Sequence, residues 1–380
     1  MDENLVKLLP PGLRIEKVKA FRVTKPRIIG DIGLRAFFQL YRRAKKIINH
    51  EKIDFLYIPI PSFYCAMLGR LLRRATGIRY GIDYIDPWVH EFPGSQKLFS
   101  RHWLSSGLAR FMEPIAVKKA SLITGVAEGY YLPVLERNPH LKKEAVHGAM
   151  PYGGEPADHE ALKYLGLQPY LFEKKPDLLQ LVYAGAMLPK AYGPLEAVFS
   201  SIAGNRDIFE KVKFHFIGTG SKANDSKSYT IKPLAEKYGL WNTIVYEYPK
   251  RIPYLEVLIH LREADGIFIL GSTEPHYTPS KIYQAVLSGK PILSVLHSKS
   301  TAVKVIMESG AGMVLDFGGS PDLPTIEKEF PSFFSGYLAF RKHFDPSQIN
   351  EALFEKFSAT SATRALVKLL NDVILKKEEC

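Results

Sequence analysis

Gly266-Ile267-Phe268-Ile269-Leu270, followed by Thr278-Pro279-Ser280-Lys281-Ile282-Tyr283-Gln284-Ala285-Val286-Leu287-Ser288-Gly289-Lys290-Pro291 and then Ile292-Leu293-Ser294-Val295, is the stretch that decides the fold. The first run is short, uncharged and β-rich, as a strand covered on both faces must be. Thr278 suits a helix cap and Pro279 its first position, so the middle run reads as a helix over Pro279–Ser288. Gly289 closes that helix, and Ile292–Val295 returns to strand. Strand, helix and strand in this order join two parallel neighbours.

The same alternation extends in both directions. Upstream, Leu179–Tyr183, Lys213–Ile217 and Thr243–Tyr246 read as strands, with helices around Pro194–Ile202, Ile231–Tyr238 and Tyr254–Arg262. That makes a doubly wound α/β domain, with ligand loops expected at the strand carboxyl ends. The first half repeats the pattern less clearly. Phe55–Ile58, Arg79–Ile85 and Ser121–Thr124 read as strands, and Leu34–Ile48 and Tyr64–Arg74 have helical spacing. His147–Pro156 is rich in turn formers and reads as the connection between two domains. The expected division is 1–154, 155–345 and a C-terminal helical segment 346–380.

The chain has 380 residues and a formal charge of +12, with ordinary globular composition. Two cysteines, Cys65 and Cys380, exclude a disulfide scaffold and a cysteine-rich metal site. The longest uncharged stretch, Phe55–Gly69, is broken by Pro59 and Pro61 and is too short to span a bilayer. Met1-Asp2-Glu3 opens no signal peptide, so a cytoplasmic protein is expected. The basic balance admits phosphorylated ligands, anionic membrane or nucleic acid. Nucleic acid is not expected, because the charge accompanies no helix-turn-helix, RNP motif or zinc site.

Candidate chemistry gathers in the second half. A helix beginning at Pro279 leaves the amides of Ser280 and Lys281 facing outward, which makes an anion site with phosphate as its natural occupant. The bland alternative is a capped helix whose amides face water. Gln284 lies on the same face as Ser280 and is placed to reach a ribose hydroxyl. Gly185 follows one strand and Gly218-Thr219-Gly220 the next, and glycine admits a ligand close to the backbone. Lys190 and Arg251 fall in loops at the same edge and are placed to neutralise a diphosphate.

These residues resemble the GT-B glycosyltransferases, in particular glycosyltransferase family 4, the glycosyl transferases group 1. The Gly185 loop, Phe214–Gly220, Arg251–Asp265 and Pro279–Pro291 occur in the order they have there. Asp83-Tyr84-Ile85-Asp86-Pro87-Trp88 resembles the Asp-x-x-Asp-Pro-Trp segment of many members, and Tyr152-Gly153-Gly154-Glu155 their interdomain turn. The resemblance implies two Rossmann-like domains facing across a cleft. The C-terminal one would bind a nucleotide diphosphate sugar and the N-terminal one a glycan or lipid-linked acceptor. It also implies a metal-independent transfer with retention, no cofactor, and donor contacts from Gly185, Lys190, Gly218, Gly220, Arg251, Pro279, Ser280, Lys281 and Gln284. Asp86, at a strand end, would be an acceptor-side contact or base, or else an ordinary turn aspartate; His90 and Glu91 follow it closely.

Several positions depart from the family. Many members carry two glutamates eight positions apart, where this chain has His276 and Gln284. Glu274 lies two residues off register, so Glu274 or His276 would take the sugar-facing role. The family's Arg and Lys after the glycine loop are replaced by Ala186 and Tyr192. Met1–Phe21 lacks the usual first strand and Gly-rich loop, as an amino-terminally shortened member would. These departures leave a non-catalytic GT-B-like protein that binds glycan or a partner as the alternative. Finally, Arg35, Arg42, Arg43, Lys45 and Lys46 line one helix and Arg70, Arg73 and Arg74 the next. Their apolar sides are expected to pack on the sheet, and their charges to favour an anionic membrane surface that carries a lipid-linked acceptor.

Overall fold

The computed structural model describes residues 3–22, 30–89, 98–275, 277 and 279–376. It divides into two compact units, one of residues 12–152 with 362–380 and one of residues 1–11 with 153–361.

The smaller unit holds a four-stranded parallel sheet of β1 (Phe55–Pro59), β2 (Arg79–Tyr84), β3 (Leu122–Gly125) and β4 (Val146–Ala149), paired in that order. One face of these strands, with Ile58, Tyr80, Ile82, Tyr84 and Ile123, is buried against the helices that follow them. Helix Ala66–Thr76 fits closely because Gly69 has no Cβ; one there would stand 2.2 Å from the Tyr80 ring. The opposite face carries Tyr57, Asp83 and Thr124, since side chains alternate along a strand. β4 corrects the sequence reading of His147–Ala149 as connection. Its Gly148 lets Leu369 of helix Ala359–Leu375 lie on the sheet, where a Cβ would meet Leu369 at 3.0 Å.

The larger unit holds a six-stranded sheet, all parallel. Its strands are β5 (Leu179–Ala184), β6 (Val212–Ile217), β7 (Val245–Tyr248), β8 (Gly266–Leu270), β9 (Ile292–His297) and β10 (Gly312–Phe317), in the spatial order β10-β9-β8-β5-β6-β7. Strand order reverses between β5 and β8, whose register pairs Leu181 with Gly266 and Val182 with Ile267. Ligands of open α/β sheets lie beyond the strand carboxyl ends at such a reversal. The core face is aromatic: Phe214, Phe216 and Phe268 pack with Phe209, Phe330 and Phe334 and helix Leu323–His343.

The chain passes between units at Gly153 and again after Ser361. Gly154 donates to the Phe357 carbonyl at 2.9 Å, and Ala359 donates back to Gly154 at 3.0 Å. A Cβ on Gly153 would lie 2.7 Å from the Phe357 carbonyl oxygen, so this turn needs that glycine, while one on Gly154 would press on the Leu287 side chain at 2.6 Å. The segment expected as a single C-terminal piece from residue 346 is therefore divided. Glu351–Glu355 packs with the larger unit, and residues beyond Ser361 go to the smaller one.

Candidate active site

The loops that leave β5 and β8 meet at the strand-order reversal. Gly185, which follows β5 directly, has φ 114°, a conformation open to glycine. Three residues after Ala186, the short turn Pro189–Ala191 sets Lys190 opposite the β8 loop. The Lys190 carbonyl accepts from Thr273 N–H at 3.1 Å, and its ammonium sits 3.0 Å from Glu274 Oε1. Both side chains are substantially exposed, so this pair is held weakly and can open toward a competing anion.

Lys281 is the group that stands out. Its Nζ is buried, finds no hydrogen-bond partner among the described residues, and lies 3.6 Å from the centroid of the Tyr183 ring. A Cβ on Gly185 would stand 3.4 Å from that nitrogen. Burial pushes the amine down from 10.5 to about 7. The ring face offers a cation only partial compensation for lost water. Behind the amine lies a cavity of about 140 Å³ lined by Ala184, Tyr254, Leu258, Ile269, Lys281 and Gln284, among others.

Gln284 lines the same cavity, and its Oε1 is 2.8 Å from His159 Nε2. Burial lowers the His159 pKa, so the ring is neutral at pH 7. His159 is carried by the turn of helix Pro156–Ala161, which begins immediately after the glycine turn. The side chain expected to meet a ribose is thus already half engaged.

At the end of β6 the backbone is open at one glycine and closed at the other. A Cβ on Gly218, φ 72°, would meet only Arg251, at 3.7 Å. A Cβ on Gly220 would strike the Pro249 carbonyl oxygen at 2.6 Å, so Gly220 serves packing of the loop. The residue between them is buried: Thr219 donates to Glu247 at 2.7 Å. Glu247 also accepts from the N–H groups of Thr230, Ile231 and Lys232 at 2.9, 3.0 and 2.8 Å. One carboxylate from β7 thereby fixes both ends of the β6 loop, a role with no local signal in the sequence.

The structure changes the reading of the Pro279 segment. The helix spans Lys281–Leu287, seven residues, with Ser280 at its cap position and no side-chain cap bond. Ile282 N–H bonds the Pro279 carbonyl at 3.0 Å, so a turn occupies what was expected as the first helical turn. Pro279 is buried and Ser280 exposed. The cation beside Gly185 is therefore a side chain, Lys281, more than a helix terminus. Thr278 and His276 lie outside the described residues, as do His90 and Glu91.

In the smaller unit, Asp86 is exposed after the end of β2. The buried acid of that motif is Asp83, whose Oδ1 accepts from Thr124 Oγ1 at 2.7 Å, with Tyr57 Oη 2.9 Å from the same hydroxyl. Burial raises the Asp83 pKa. Trp88 is buried against Phe63 and Tyr64, which accounts for the Pro-Trp end of the motif by packing.

Comparison with solved structures extends over both units. The chain is similar to a UDP-forming α,α-trehalose-phosphate synthase of Burkholderia xenovorans, 14% identical, covering 90% of this chain and 80% of that one with a TM-score of 0.61. The chain has the GT-B fold. A glycosyltransferase of Rickettsia africae is similar at 13% identity, 88% and 81% coverage and a TM-score of 0.60. HepE of Anabaena, solved with UDP-glucose, is similar at 13% identity, 90% and 84% coverage and a TM-score of 0.58. No family model and no curated protein matches the sequence. Within this GT-B chain, Gly185, Lys190, Gly218, Arg251, Glu274, Lys281 and Gln284 come to one end of one sheet, and Asp86 belongs to the other unit.

Proposed function

We propose that the protein is a glycosyltransferase that moves a sugar from a nucleotide diphosphate sugar to a glycan or lipid-linked acceptor. The observation that carries this is the unpartnered Lys281 amine beside Gly185 at the strand-order reversal. A diphosphate placed over Gly185 gives that amine the counter-charge it lacks. Lys190 and Arg251 stand at the same sheet end to take the remaining charge. The similar folds solved with UDP-glucose or described as UDP-forming support a uridine diphosphate donor.

The chemistry follows from charge. As the sugar leaves, negative charge grows on the β-phosphate, and a fixed cation in a water-poor site stabilises that charge most. Lys281 would supply there the positive charge that other transferases obtain from a metal ion, which makes transfer metal-independent. Retention follows the family resemblance. Asp86 would contact the acceptor, and Glu274, released from Lys190, or His276 would face the sugar.

A second reading has specific support: Glu274 is ion-paired, and Gln284 stands where a glutamate is usual and is held by His159. In that reading the fold binds a glycan or a partner without turnover. A thermal-shift panel of UDP-, GDP-, CMP- and dTDP-sugars, followed by a search for released nucleotide with the best binder, separates the two. Stabilisation by a donor with nucleotide release supports the transferase. No stabilisation by any donor removes the transferase reading and favours the binding protein.

A further inference from the structure

Helix Arg101–Val117 of the smaller unit is apolar on two opposite sides. One side, with Ala109, Ala116 and Val117, is buried in the core. The other carries Leu104, Leu108, Phe111 and Ile115, spaced so that they form one stripe along the helix. These four are 55%, 43%, 69% and 39% exposed. The approach to the helix extends the stripe with Leu98 and Phe99, both well exposed, and the Phe99 ring lies 5.6 Å from that of Trp103. A helix apolar all round is ordinarily covered all round. Contiguous apolar surface of this kind marks an interaction site.

The surrounding charge says what covers it. This helix lies in one layer with Ile32–His50 and Ala66–Thr76, the second packing on both others. The three helices carry two, five and three Lys or Arg respectively. Their single acid, Glu113, is buried and clasped by Arg137 at 2.8 Å. Arg42, Lys46, Arg74 and Lys118 are exposed. A second copy of the chain would bring two such cationic layers together. A nucleic acid would take the charge but leave Leu104, Leu108 and Ile115 without an apolar partner. An anionic bilayer meets both demands, with lipid phosphates for the cations and the acyl boundary for the stripe.

We propose that this layer docks on an anionic membrane surface, with the Leu104–Ile115 stripe and the Phe99–Trp103 pair entering the headgroup region. The inference is independent of the transferase reading, since none of these residues belongs to the donor site.

The test is co-sedimentation of the full chain with vesicles of phosphatidylcholine alone or of equal parts phosphatidylcholine and phosphatidylglycerol, at low and high salt. Binding is expected only with phosphatidylglycerol and should weaken as salt rises. Leu108→Ser with Phe111→Ser should lower partitioning on the order of a hundredfold. Each of Arg42→Gln, Lys46→Gln and Arg74→Gln should lower it about fivefold. These side chains are exposed or at the surface, so circular dichroism and the melting transition should match wild type. The proposal is overturned if the wild type stays in solution with anionic vesicles, or if Leu108→Ser with Phe111→Ser binds them as well as wild type does. It is equally overturned if the double variant's main effect is loss of a dimer in analytical ultracentrifugation, or loss of binding to random RNA at physiological salt.

Discussion

Burial of the Lys281 amine makes nucleotide binding depend on pH in a direction that can be worked out in advance. In the free protein the amine titrates near 7, well below its ordinary 10.5, and burial is the whole cause. The difference corresponds to roughly 5 kcal/mol against the charged form. A diphosphate beside it favours the ammonium and lifts the pKa again, so binding takes up a proton wherever the free amine is neutral. The donor's own phosphates are fully ionised above about pH 7 and add no proton of their own. His159 is already neutral there, because its pKa is lowered. UDP affinity should therefore fall about fiftyfold between about pH 7 and pH 9. Calorimetry in buffers of different ionisation enthalpy should show close to one proton taken up per UDP at about pH 8. Lys281→Arg keeps a charge that does not titrate in this range and should flatten the profile. Equal wild-type affinity at both ends of the range, or an unchanged slope in Lys281→Arg, would refute the reasoning.

Other perturbations separate residues that fix the site from residues that meet the ligand. Glu247→Ala strands Thr219 Oγ1 and three buried or half-buried amides; urea unfolding should show a loss of about 3 kcal/mol. Gly185→Ala forces a side chain into a left-handed backbone and sets a methyl 3.4 Å from the Lys281 nitrogen. UDP affinity by calorimetry should fall on the order of tenfold, with a stability cost of roughly 1–2 kcal/mol. Asp86→Ala removes an exposed group; turnover in a donor-consumption assay should drop about a hundredfold while the melting temperature holds. Asp83→Ala should do the reverse first, lowering thermal stability by about 1–3 kcal/mol, because Thr124 Oγ1 loses its buried acceptor.

Five strands of the larger unit were legible, because short β-rich apolar runs such as Gly266–Leu270 stand between turn formers, and a strand covered on both faces needs little else; β10 was missed, because at the sheet edge it is only partly buried and carries the exposed Asp316. The helix Arg101–Val117 was not legible, because its apolar residues fall on two sides, and Gly107 and Pro114 interrupt any simple period. β4 was hidden for a different reason. His147 and Gly148 look like turn formers, and the glycine is there because a helix from the far end of the chain lies against it. The candidate site divides in the same way. Glycine loops and cations near strand ends are local signals, so Gly185, Lys190, Arg251 and Lys281 were within reach. The burial of the Lys281 amine depends on Tyr183 and a cavity lined by several elements. The Glu247 clamp joins residues far apart in the chain, and Asp83 is set apart from Asp86 by its burial in β2 and by a hydroxyl on the next strand. None of these is a property of a sequence window.

The central claim is that the Lys281 ammonium, next to an open backbone at Gly185, holds the diphosphate of a nucleotide sugar. A crystal structure of the full chain with UDP tests it most directly. The account predicts a β-phosphate oxygen about 2.7–2.9 Å from Lys281 Nζ and above Gly185, with the amine drawn off the Tyr183 ring. UDP bound with its phosphates away from an amine that still lies over Tyr183 would contradict it.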